Sequence, residues 1–104
     1  MDLTGMAEEE TTGTPKTLET QAEEFARQGN FLDLQGCPEQ AEQQYLRALK
    51  IWEELLTETG APVYAHGARE ICEHLADLLM QQGNMHGADL YYVKAFSYGS
   101  GLSR

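Results

Sequence analysis

Residues 36–50 read GCPEQAEQQYLRALK, and residues 83–96 read GNMHGADLYYVKAF. Both run Gly, four residues, Ala, three residues, Tyr, two residues, Ala, then a bulky apolar side chain. Self-similarity on this scale marks a helical-repeat architecture, in which no unit buries its apolar face alone. Each copy reads as the second helix of a helical hairpin. Gly36 and Gly83 can adopt the left-handed conformation that closes a preceding helix, and Pro38 suits the first turn of the next. Ala41 and Ala48 flank Tyr45 at about one-turn spacing, and Ala88, Tyr92 and Ala95 repeat this. Small residues there let helix axes approach while the tyrosine fills the space between them.

Upstream of each copy, Phe25, Gln28, Gly29 and Leu32 precede Ala41 and Tyr45, while Cys72, Leu75, Ala76 and Leu79 precede Ala88 and Tyr92. Over residues 21–96 the chain resembles the tetratricopeptide repeat (TPR) family, whose pattern is Trp, two residues, Leu-Gly, two residues, Tyr, then Ala, three residues, Phe, and later Pro. It departs from that pattern at Gln28, Cys72, Leu32 and Leu79, and neither copy has the closing proline. Ala41 and Ala88 are 47 residues apart, against the family's repeat of about 34. Two divergent repeats with extended second and third helices would absorb the excess.

Periodicity extends the reading over the chain. Residues 1–14 are rich in Glu, Thr and Gly and read as a flexible acidic tail. The helical repeat domain is expected over residues 15–98, and residues 99–104 as a C-terminal tail. Thr14-Pro15 signals a helix start, and Thr20 to Glu23 a second capping box. The first helix, 15–35, turns Leu18, Ala22, Phe25, Gly29 and Leu32 inward. The second, from Pro38 to Gly60, carries Ala41, Tyr45, Ala48, Leu49, Trp52, Leu55 and Leu56. The third starts at Pro62 and lines up Val63, Gly67, Ile71, Leu75, Leu78 and Leu79. Gly67 costs a helix roughly 1 kcal/mol relative to Ala and suggests a close approach of helices. The fourth runs from Met85 to Tyr98 and ends at Gly99. The fold class is therefore all-α, two antiparallel hairpins of tetratricopeptide-repeat type.

A formal charge of −10, from 17 acidic and 7 basic side chains, argues against nucleic acid or an anionic membrane as partner and favours a basic one. No apolar run reaches the ~20 residues of a membrane span, and the start MDLTGMAEEE lacks a signal-peptide pattern. The expected compartment is cytoplasmic, and Cys37 and Cys72 do not form a disulfide framework. A salt-rich cytoplasm would also account for the acidity.

The fourth helix carries Leu90, Tyr91, Tyr92, Val93, Phe96 and Tyr98 on several sides. One buried face cannot hold them all, so Leu90, Tyr91, Phe96 and Tyr98 are candidates for a homodimer or partner interface. The family resemblance implies a groove lined by the first helix of each hairpin. It would present Glu23, Ala26, Asn30, Asp33 and Leu34 from one helix and Glu70, Glu73, Asp77, Met80 and Gln81 from the other. The polar members, Glu23, Asn30, Asp33, Glu70, Glu73, Asp77 and Gln81, are the candidate peptide-binding residues, suited to a ligand bearing Lys or Arg.

Catalytic and metal chemistry find little footing. Glu70, Cys72, Glu73, His74 and Asp77 form the densest constellation, but their spacing matches neither His-Glu-x-x-His nor Glu-x-x-His. His66 and His86 lie far apart in the chain, and the glycines do not form a phosphate loop. The sequence thus points to a non-enzymatic protein-interaction module without a cofactor. A small acidic chaperone for a basic client and a metal-binding helical bundle are the rival readings.

Overall fold

The structure, a computed structural model, describes residues 14–102. The expected tail over residues 1–14 thus lies, up to residue 13, outside the described residues. Four helices and no strand are found among them: α1 Pro15–Leu34, α2 Pro38–Thr59, α3 Pro62–Gln81 and α4 Met85–Leu102. The fold is all-α, two helical hairpins in series. α2 has 22 residues and α3 20, as the wide spacing of the copies requires, and α1 also has 20.

The turns explain the boundaries. Gly36 and Gly83 sit at φ 82° and 83°, a region that costs a side-chain-bearing residue about 1–2 kcal/mol. Beyond them the chain reverses with matched bonds. Cys37 N donates to Leu32 O and Asn84 N to Leu79 O, both at 2.9 Å, which satisfies carbonyls otherwise orphaned at the helix end. Gly60 closes α2 at φ 70°. At the start of α1, Thr14 Oγ1 accepts from Thr17 N at 3.2 Å. Thr20 caps nothing; it lies inside α1 and donates to Lys16 O. Gly99 does not end α4, which runs through it to Leu102. A Cβ on Gly99 would stand 3.3 Å from Arg69 Cδ, so this glycine marks a close approach to α3 and not a stop.

α3 is the most buried element, with Ala68, Cys72, Leu75, Ala76 and Leu78 fully enclosed between α2 and α4. α2 contributes Ala41, Tyr45, Ala48, Leu49, Trp52 and Leu55, and α1 contributes Leu18 and Ala22. The expected close approach is visible at Gly67: a Cβ there would meet the Trp52 ring at 2.8 Å. Gly29 stands in the same relation to Tyr45, at 2.9 Å. Glycine on each first helix thus lets an aromatic ring of α2 seat flat against the helix backbone. Val63, expected in the apolar stripe of α3, is exposed instead.

Two tyrosine–carboxylate bonds brace distant segments. Tyr64 Oη donates to Glu19 at 2.5 Å, joining α3 to α1, and Tyr98 Oη donates to Glu53, joining α4 to α2.

Candidate functional site

Two rows on α3, each spaced by four residues, divide its polar surface. His66, Glu70 and His74 form one, and Arg69, Glu73 and Asp77 the other. Rows at i, i+4 are the natural ridges of a helix and diverge toward different neighbours. The first row borders a groove shared with α1, and the second a separate cleft shared with α4.

The groove has a volume of about 490 Å³. Glu23, Ala26, Arg27 and Asn30 form the α1 wall, while Val63, His66, Glu70 and His74 form the α3 wall. Its floor is aromatic: Tyr45 and Trp52 reach it from α2 beneath. The His74 ring lies parallel to Tyr45, 5.3 Å between centroids and 3° apart in plane, and Trp52 tilts against Tyr64 at 6.0 Å. The floor is therefore flat, apolar and held by packed rings.

Charge in the groove is arranged by a few contacts. Arg69 Nη2 lies 3.2 Å from His66 Nδ1, and His66 Nε2 lies 3.0 Å from Glu70 Oε2. A guanidinium only donates, so Nδ1 must accept, which leaves the proton on Nε2 to be donated to Glu70. On the opposite wall Arg27 is drawn back by Glu24 at 2.6 Å. That hydrogen bond and the charge of Arg27 hold the Glu24 carboxyl below the usual range. Glu23 pairs with no cation among the described residues, so the α1 wall presents a bare carboxylate.

Of the candidate peptide-binding residues, Glu23, Asn30 and Glu70 come together in this groove. Glu73 and Asp77 do not. They line the cleft with α4, where Glu73 takes Arg69 at 3.1 Å and Asp77 accepts from Tyr92 Oη at 2.6 Å. Asp33 is half-buried near the end of α1; after burial itself, its charge is what raises the Tyr45 hydroxyl further. Gln81 is exposed on the last turn of α3, outside both cavities. Sequence reasoning missed the aromatic floor, although the pairing of a glycine on each first helix with an aromatic residue on α2 was a signal for it.

The apolar set on α4 also divides. Leu90 and Phe96 are exposed, at 59% and 74%, together with Val93. Tyr91 and Tyr98 turn inward and pack against the core. Tyr98 is secured by Glu53, which also takes Lys94 Nζ at 3.0 Å. The correction is geometric: Tyr91 and Tyr98 lie two turns apart on the side of α4 that meets α2 and α3.

Among the described residues, no three His, Cys, Asp or Glu side chains gather as a metal site would require, and no helix is long and apolar enough to cross a membrane. In comparisons with known proteins, no family model, curated protein or solved structure matches this chain.

Proposed function

We propose that this chain is a non-enzymatic protein-interaction module of the tetratricopeptide-repeat type, whose α1–α3 groove takes a peptide segment bearing Lys or Arg. One observation supports this above the rest: Glu23 and Glu70 stand on facing walls over the floor of Tyr45 and Trp52, with His74 stacked on Tyr45. An extended segment laid along such a groove gains apolar contact below and charge complementarity at the rims. The repeated sequence and the matched glycine turns support the family assignment.

Trp52 is the chain's single tryptophan, and its place in the groove makes intrinsic fluorescence a direct probe. Titration with the peptide acetyl-GKLGKLG-amide gives a saturable change, and the counterpart with Glu for Lys gives none. Glu23→Lys combined with Glu70→Lys weakens the response by about tenfold or more, equivalent to ~1.4 kcal/mol. Equal binding of both peptides, or no loss in the double variant, overturns the reading.

A further inference from the structure

The second hairpin can be laid on the first at an offset of 47 residues: Ala41 matches Ala88, Tyr45 matches Tyr92, Ala48 matches Ala95, and the two left-handed glycines coincide. In the first hairpin, α3 covers the far side. His74 stacks on Tyr45, Gly67 lies on Trp52, and Tyr45 and Leu49 are left 2% and 5% exposed. At the matched places in the second hairpin, Tyr92 is 39% and Phe96 74% exposed. These two residues, with Arg69, Glu73 and Asp77 at the positions of Ala22, Ala26 and Asn30, line a cleft of about 630 Å³.

From this correspondence we infer that the α3–α4 cleft receives an amphipathic helix of a partner protein, seated as α3 is seated on α2 and carrying Lys or Arg toward Asp77. The fold supplies its own template for such an occupant, since the same surface one repeat earlier is covered by a helix. Charge supplies the sign. Ala22 and Ala26 are apolar and Asn30 neutral, whereas Arg69, Glu73 and Asp77 carry one positive and two negative charges between them. Glu73 offsets Arg69 at 3.1 Å, and Asp77 has only the Tyr92 hydroxyl among the described residues. A cation arriving where His74 stands on Tyr45 would rest on the Tyr92 ring beside Asp77. The chain already makes such a contact elsewhere, with Arg47 Cζ 5.7 Å from the Phe25 ring centre.

A second copy is the poorer occupant. Its α1, placed by the same offset, would bring Glu19, Glu23 and Glu24 to the positions of His66, Glu70 and Ile71, set against Glu73 and Asp77. Like charges across such a contact oppose it.

The experiment uses the full chain and a synthetic Leu/Lys peptide of about 14 residues, four helical turns with helical periodicity, beside the same peptide with Glu for Lys. Backbone amide shifts report the location. The Lys peptide is expected to shift α4 and the Arg69–Asp77 side of α3 saturably, and the Glu peptide to shift nothing. Phe96→Asp and Asp77→Lys, both at exposed positions, each weaken binding about tenfold, while Glu58→Lys, exposed in the last turn of α2 and outside both cavities, leaves it unchanged. Circular dichroism verifies that the variants fold. Shifts confined to the α1–α3 groove, unchanged affinity in Asp77→Lys, or absence of saturable binding overturns the inference. So does a dimer by light scattering that Phe96→Asp converts to monomer, because a second copy would then cover the cleft.

Discussion

The hydroxyl of Tyr98 donates to the carboxylate of Glu53, and the same carboxylate oxygen takes Lys94 Nζ at 3.0 Å. Burial, then the hydrogen bond to Glu53, drives the Tyr98 hydroxyl far above the ordinary tyrosine range, and the bond to Glu53 raises Lys94 as well. This node ties two side chains of α4 to α2. Hydrogen bonds to charged groups contribute roughly 1.5–3 kcal/mol, and the half-exposed position argues for the lower end. Tyr98→Phe is expected to lower the unfolding free energy in urea by about 1–2 kcal/mol. Spectrophotometric titration should show one fewer tyrosine resisting ionisation in the folded variant. An unchanged urea midpoint would mean that the bond is not maintained in solution.

Gly67 and Gly29 make a second prediction, because two effects oppose each other there. Alanine is a better helix former than glycine by about 1 kcal/mol. The added Cβ would stand 2.8 Å from the Trp52 ring or 2.9 Å from the Tyr45 ring, and overpacking of this kind costs typically ~1–3 kcal/mol. The rings are hemmed in by Tyr64 and His74, so the clash wins. Gly67→Ala and Gly29→Ala are each expected to lower the thermal midpoint, with a changed Trp52 emission in Gly67→Ala. A raised midpoint in either would show that the rings give way.

Cys72 is fully buried, and burial pushes its thiol up to about 11, the neighbouring Lys94 opposing this only in part. At pH 8 a thiol reagent should modify Cys37, which is half-buried in the first turn, and leave Cys72 untouched until the chain unfolds.

The same thiol gives a pH dependence. A folded-state value above the unfolded one means that the native chain holds the proton more tightly, so the stabilisation is complete below about pH 9 and is lost as pH rises toward 11. Urea midpoints should therefore fall between pH 9 and 11, by on the order of 2 kcal/mol from this group. The raised tyrosines Tyr91 and Tyr98 act in the same direction, beginning near pH 10 and extending above it. In Cys72→Ala the decline across this window should be shallower, whatever the stability at pH 7.

Helix identity and the turns were legible because the signals were local: left-handed glycines at 36, 60 and 83, prolines opening α2 and α3, and a helical period between them. The groove was legible only in part. Glu23, Asn30 and Glu70 were placed together, but assigning Glu73 and Asp77 to the same face required knowing to which side each four-residue row of α3 turns. That depends on where α1 and α4 pack, which no local pattern encodes. Likewise Tyr91 and Tyr98 could not be told from Leu90 and Phe96 by hydropathy. Both tyrosines pack against a core built by other helices, and Tyr98 bonds Glu53, a partner 45 residues away.

Each helix packs chiefly on the one before and the one after it in the chain, and this serial arrangement carries a kinetic consequence. Contacts between sequence neighbours require only short loops to close, so folding should be rapid, in the microsecond to millisecond range of low-contact-order helical domains. Opening should begin at the ends. α4 packs chiefly on α3 and, among the described residues, buries only Ala88 and Ala95, so its amides should exchange with solvent well before those of α3, through a partly open state in which the first three helices stay assembled.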